Sequence, residues 1–187
     1  EILRPLTEQG CLPLALHPVM TFTGTSIDLN RLSACPFGIT TVETLRPVAE
    51  TLVVEIGGEP IWVPEENRGL YHAALTFGAN NLMTLVTQTT ELLEAAGITN
   101  PENLVAPLLG ASLDNALRNG DAAITGPVAR GDANTVLEHL RVLANFDPAV
   151  TQAYRAMARL TAIRALASGT LQPQLAEELL IVLADES

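Results

Sequence analysis

The tetrad Leu16-His17-Pro18-Val19 closes a short apolar run, 12–16, and leads at once into Met20-Thr21-Phe22-Thr23-Gly24. An imidazole titrates near neutrality, so a histidine at the end of a strand can exchange a proton with a substrate oxygen or donate a hydrogen bond to it. Open α/β sheets bind their ligands outside the carboxyl ends of the strands, which makes His17 the first catalytic candidate. The hydroxyls of Thr21, Thr23 and Thr25 lie beside it in sequence. The plainer alternative is a core histidine that caps a strand carbonyl.

A second constellation lies at 68–84. Arg68, His72, Thr76 and Asn80 recur every fourth residue, so on a helix they form one slanting polar row, with Asn81 and Thr84 beside its lower end. Such a row meets a substrate, a partner or plain solvent. Adjacent amides at Asn80 and Asn81 are less typical of a solvent face than Glu and Arg would be. The third constellation is Thr125-Gly126-Pro127 followed by Arg130-Gly131-Asp132. Two glycines and a proline make a defined turn between helices, and amides at a helix start can receive an anion. An ordinary helix cap is the competing reading. His139, between Glu138 and Arg141, reads as solvated, and the acidic pairs 65–66 and 177–178 lack metal-ligand partners. There is no serine nucleophile elbow, no P-loop and no G-x-G-x-x-G.

The elements that must position these residues divide the chain near residue 64. In 1–64, apolar runs at 12–16, 37–42 and 60–63 read as strands. Segment 28–32 reads as a helical turn and 43–56 as a helix that ends at Gly57-Gly58. This order suggests the last units of a mostly parallel sheet. In 65–187 the pattern is helical throughout, at 65–96, 101–117, 132–144, 148–167 and 172–183, with Asn100, Asp132 and Asp147 as helix starts. The helix 65–96 is apolar around most of its circumference, which predicts a central, buried position. The fold class expected is an α/β remnant of a Rossmann-like sheet followed by a larger all-α domain.

Composition narrows the function classes. A net charge of −11 argues against nucleic acid and anionic membranes. All ten cations are arginine, so no lysine is available for a Schiff base or as a general acid. Cys11 and Cys35 read as two buried free thiols in a reducing compartment. No signal peptide or membrane span is evident, which sets a cytoplasmic expectation. Because the chain opens on Glu1, it reads as the back half of a larger enzyme.

Taken together, three motifs resemble one family: His17-Pro18-Val19-Met20-Thr21-Phe22-Thr23-Gly24, then Leu70-Tyr71-His72-Ala73-Ala74 leading to Gly78-Ala79-Asn80-Asn81-Leu82, then the 125–132 segment. The family is that of the bacterial Rossmann-like oxidoreductases whose C-terminal part is domain of unknown function 2520. More distantly the chain is similar to pyrroline-5-carboxylate reductases, ketopantoate reductases and prephenate dehydrogenases. The resemblance implies an NADP or NAD cofactor held mainly by a preceding dinucleotide domain, and a homodimer formed through the helical domain. It also implies that His17, at the position of a substrate-contacting histidine, is catalytic. One departure stands out: ketopantoate reductases use a catalytic lysine, and this chain has none.

The expectation that follows is the substrate-binding and dimerisation portion of an NADP- or NAD-dependent oxidoreductase acting on a small carbonyl, imine or hydroxy acid. His17 would be catalytic, with Thr21, Thr23, His72, Asn80, Asn81, Thr125, Arg130 and Asp132 binding substrate. The 187 residues alone would be inactive. The rival is a non-catalytic helical dimerisation module.

Overall fold

The computed structural model describes residues 4–184, which form two compact units divided between Leu82 and Met83. The first begins with a short helix α1 (Arg4–Thr7), then β1 (Leu14–Pro18), α2 (Ile27–Leu32) and β2 (Pro36–Thr41). A single 3-10 turn leads into α3 (Arg46–Glu55) and then β3 (Glu59–Trp62). The sheet order is β1-β2-β3, with β2 and β3 parallel and joined through α3.

β1 departs from the expectation of a mostly parallel sheet, because it runs antiparallel to β2. The connection explains this. A parallel return must carry the chain back along the strand, about 17 Å for five residues. The six-residue α2 spans only about 9 Å. The chain therefore turns back beside β1, with Leu16 opposite Ile39 and His17 opposite Gly38.

Strand alternation sorts the two faces of the sheet. Phe37 and Ile39, with Cys35 just ahead of β2, pack on Ala49 and Val53 of α3, and Leu14, Leu16, Met20 and Leu32 close around them. Gly38 and Thr40 point to the other face. Cys35 is buried as expected, but Cys11 is exposed: it follows the turn after α1 and has no core to enter.

After a 3-10 turn, α4 (Arg68–Ala95) runs for 28 residues. None of them is buried, which corrects the central position expected from its composition. Leu70, Phe77, Leu82, Met83 and Leu85 are all exposed, so an apolar circumference here does not mean burial within the chain. Among the described residues no helix is long and apolar enough to cross a membrane.

The second unit contains α5 (Glu102–Asn119), α6 (Pro127–Arg130), α7 (Ala133–Phe146), α8 (Pro148–Ala167) and α9 (Pro173–Val182). Its core joins Val136 and Leu140 of α7 to Leu179 of α9 across Ala158, Ala162 and Ala165 of α8. Those alanines fall on one helical stripe and let the helices approach closely. Asp147 caps α8, accepting from the Ala149 amide at 2.7 Å, and Pro148 takes the first turn, where its missing N–H costs nothing.

Candidate active site

The alternation that sends Leu16 and Ile39 toward α3 puts His17, Gly38, Ala15 and Thr40 on the opposite face. Tyr71, in the first turn of α4, reaches that face. Its Oη lies 2.9 Å from His17 Nδ1, and the rings meet edge to face at 5.6 Å and 89°. Gly38 makes this possible. A Cβ on Gly38 would overlap the Tyr71 phenol oxygen and come within 2.7 Å of Cζ. Burial, with a smaller contribution from charge on Cys35, pushes the Tyr71 phenol above its ordinary pKa, so it stays protonated. The His72 ring is 6.5 Å from that of His17.

Because β1 is antiparallel, the carboxyl end that carries His17 lies beside the amino-terminal half of β2 rather than beside the carboxyl ends of β2 and β3. The strand-end rule that singled out His17 therefore does not describe this sheet. What fixes His17 is Tyr71.

The two residues line a cavity of about 1080 Å³ that lies wholly within the first unit. Pro13, Leu14, Ala15 and Leu16 line one side with Thr40 and Thr41, and Arg4, Glu65, Arg68 and His72 bring charge and imidazole to the rim. Arg68 sits 3.4 Å from Glu65, and Arg4 sits 3.1 Å from Glu8. The site can thus hold a small polar molecule between the imidazole of His17 and the guanidinium groups at its edge.

The loop after His17 is organised by Asp28, a buried carboxylate at the start of α2. It accepts from the Thr23 amide at 2.9 Å, the Thr23 hydroxyl at 2.9 Å and the Gly24 amide at 2.8 Å. Burial acts to raise its pKa, but the hydrogen bonds from Thr23, Gly24 and Thr25 together hold it below the usual carboxylate range. The Thr23 hydroxyl is also 2.8 Å from that of Thr25, so it is engaged within the loop. Thr21 is exposed in the same loop. These amides are the described feature most like a phosphate cradle, and Asp28 already fills them. Among the described residues, these amides therefore do not offer a free cradle for a dinucleotide pyrophosphate.

Of the other expected site residues, His72 joins the cavity. Asn80 and Asn81 lie about 12 Å further along α4 and do not line it. Thr125, Arg130 and Asp132 belong to the second unit. Asp132 is an N-cap: it accepts from the Thr135 amide at 3.0 Å and the Thr135 hydroxyl at 2.7 Å. Those bonds, with the charge of Arg130, hold its carboxyl below the ordinary value. Gly131 adopts φ +71° with its α-carbon against Leu175 and Leu171, so the glycine serves the turn. Arg130 is exposed. His139 is exposed as expected, yet its Nδ1 lies 2.8 Å from Tyr154 Oη.

Sequence reasoning passed over Tyr71, Gly38 and Asp28. Tyr71 entered only within the motif Leu70-Tyr71-His72-Ala73-Ala74, on a helix whose apolar circumference predicts core. Its adjacency to His72 was the available signal. The pairing of Gly38 with His17 depends on a strand register that no local pattern reveals.

The model of the domain of unknown function DUF2520 matches residues 35–161. A search of curated proteins finds no match. Among solved structures, the chain is similar to protein TM1727 from Thermotoga maritima, with 25% identity, a TM-score of 0.70 and coverage of 83% of this chain and 62% of that one. It is also similar in fold to a putative NADP oxidoreductase, BF3122, from Bacteroides fragilis, with 24% identity, a TM-score of 0.68 and coverage of 84% and 60%. The chain therefore spans less than two thirds of the length of either relative.

Proposed function

Since the chain belongs to the family of the domain of unknown function DUF2520, we propose that it is the substrate-binding and dimerisation portion of an NAD(P)-dependent oxidoreductase. The substrate class is a small carbonyl, imine or hydroxy acid. The observation that carries this reading is His17, held by Tyr71 in the lining of a cavity that Arg68 and His72 also line. A nicotinamide cofactor would supply the hydride. Since Asp28 fills the nearest cradle of amides, that cofactor would be held by a segment outside the described residues.

The chain's own residues bind and polarise. His17 faces the reacting oxygen, where an N–H donor stabilises developing negative charge. Arg68 is placed to attract a substrate carboxylate once it leaves Glu65, since a guanidinium matches carboxylate geometry. Exposed apolar residues on α4 and, separately, on α5 of the second unit would be covered by a second copy, in keeping with the dimer that the resemblance implies.

The test is hydride transfer by the full-length protein, followed by nicotinamide absorbance over a panel of 2-keto acids, cyclic imines and hydroxy acids. With an accepted substrate, His17→Ala should lower kcat by roughly 10²–10³-fold, the usual cost of removing one hydrogen-bond donor to a developing oxyanion. Wild-type turnover in that variant would remove His17 from the chemistry. No turnover on any member of the panel would favour the non-catalytic module.

A further inference from the structure

We propose that Tyr71 donates its phenolic hydrogen to Nδ1 of His17 and so holds the imidazole in the form that carries its proton on Nε2, presenting an N–H donor to the cavity. Three observations lead there. The contact is short, 2.9 Å, and the rings stand edge to face at 89°, so the phenol oxygen meets a ring nitrogen rather than a ring face. Nδ1 of His17 is also the one hydrogen-bond partner of Tyr71 among the described residues. Were Nδ1 the donor, the phenol's own hydrogen would have no acceptor among the described residues. Finally, Gly38 leaves the phenol lying directly against the strand, with no space for a side chain between them, so the oxygen has little room to swing to another partner.

Nε2 of His17 makes no hydrogen bond among the described residues, and His17 lines the cavity. A neutral imidazole has one donor nitrogen and one acceptor nitrogen, and the group bonded to one nitrogen decides the role of the other. With Nδ1 accepting, Nε2 must donate. His17 then stabilises charge on a substrate oxygen and does not act as the base that removes a proton. No bond between His17 and substrate forms or breaks in this role. Tyr71 acts through His17 and is a positioning residue. The catalytic meaning rests on the oxidoreductase reading, but the tautomer does not.

The test uses the full chain labelled with ¹⁵N-histidine and long-range proton–nitrogen spectra recorded well above the range in which histidine titrates. With three histidines in the chain, His72→Asn and His139→Asn assign the signals. The expected result is a neutral His17 with Nε2 protonated. In Tyr71→Phe the ratio of the two neutral forms should move roughly fivefold toward Nδ1–H, the equivalent of one net hydrogen bond of about 1 kcal/mol. His139, paired with Tyr154, should not change. Nδ1 protonation in the wild type, or an unmoved ratio in Tyr71→Phe, would overturn the proposal. Gly38→Ala provides a second perturbation, expected to shift the ratio in the same direction by displacing the phenol. With an accepted substrate, Tyr71→Phe should lower kcat more than it changes KM. Failure of every substrate would sink the oxidoreductase reading and leave the spectra to decide the tautomer.

Discussion

The Tyr71 hydroxyl fills the space that a side chain on Gly38 would need. Gly38 is required here by contact rather than by backbone angle. Gly38→Ala should therefore force Tyr71 outward and destabilise the first unit by about 1–3 kcal/mol, the usual range for overpacking. The same change in a Tyr71→Ala background should cost less, because the competing ring is gone. Urea unfolding of the four proteins gives the coupling energy. Additive effects would mean that the two residues do not compete for this space.

Asp28 ties the His17 loop to α2, and its sign with pH can be worked out. Its folded pKa lies below the unfolded value of about 3.9, so its contribution is fully present above that value. As pH falls through the folded pKa the carboxylate is protonated and acceptors for Thr23 and Gly24 are lost. Over that window the unfolded state binds more protons, and stability declines. Denaturant midpoints measured from about pH 6 down to about pH 3 should fall less steeply in Asp28→Asn than in the wild type. Asp132→Asn is the necessary comparison, because Thr135 depresses that carboxylate in the same direction. Identical slopes in wild type and Asp28→Asn would show that the loop does not depend on the charge.

Much of this architecture was legible from local chemistry. Helix starts at Asp132 and Asp147 and the stop at Gly57-Gly58 are set by short-range hydrogen bonding and glycine geometry, which a sequence displays directly. The direction of β1 was not, because antiparallel pairing follows from the length of α2 and not from any property of residues 14–18. α4 misled for another reason. An apolar circumference predicts contact with something, and sequence does not say whether the partner lies in the same chain. Within the site, His17 and His72 were visible as residue types, whereas Tyr71 and Gly38 become functional only through a register that pairs residues 21 positions apart and a helix that lies over them.

Gly131 offers a test of the turn motif in the second unit. It combines φ +71° with close approach to Leu175 and Leu171, so a Cβ would meet both strain and collision. Gly131→Ala should cost about 1–3 kcal/mol, read as a lower denaturation midpoint. Arg130→Ala, at an exposed neighbour, should stay within about 0.5 kcal/mol of the wild type. If Arg130→Ala were the more damaging change, the segment would be an arginine-dependent structure and not a glycine turn.

The exposed apolar residues of α4 and α5 make the final prediction, one that separates association from folding. Leu70 and Phe77 lie seven residues apart on α4, and Leu104, Leu108, Leu113 and Leu117 follow along α5, all of them exposed. Isolated apolar side chains are common on protein surfaces, but rows on long helices are the usual mark of an interface. In a dimer these side chains leave water, and each fully buried leucine or phenylalanine contributes about 1.5–3 kcal/mol. Light scattering should give a mass near twice the 19.8 kDa of one chain. Phe77→Glu or Leu108→Glu should shift that mass toward the monomer, since a carboxylate in an apolar interface is strongly disfavoured. Phe77 and Leu108 are exposed, so circular dichroism of the monomeric variants should keep its helical signal. A wild-type chain that is monomeric at micromolar concentration would overturn the dimer, and with it the role proposed for these two helices.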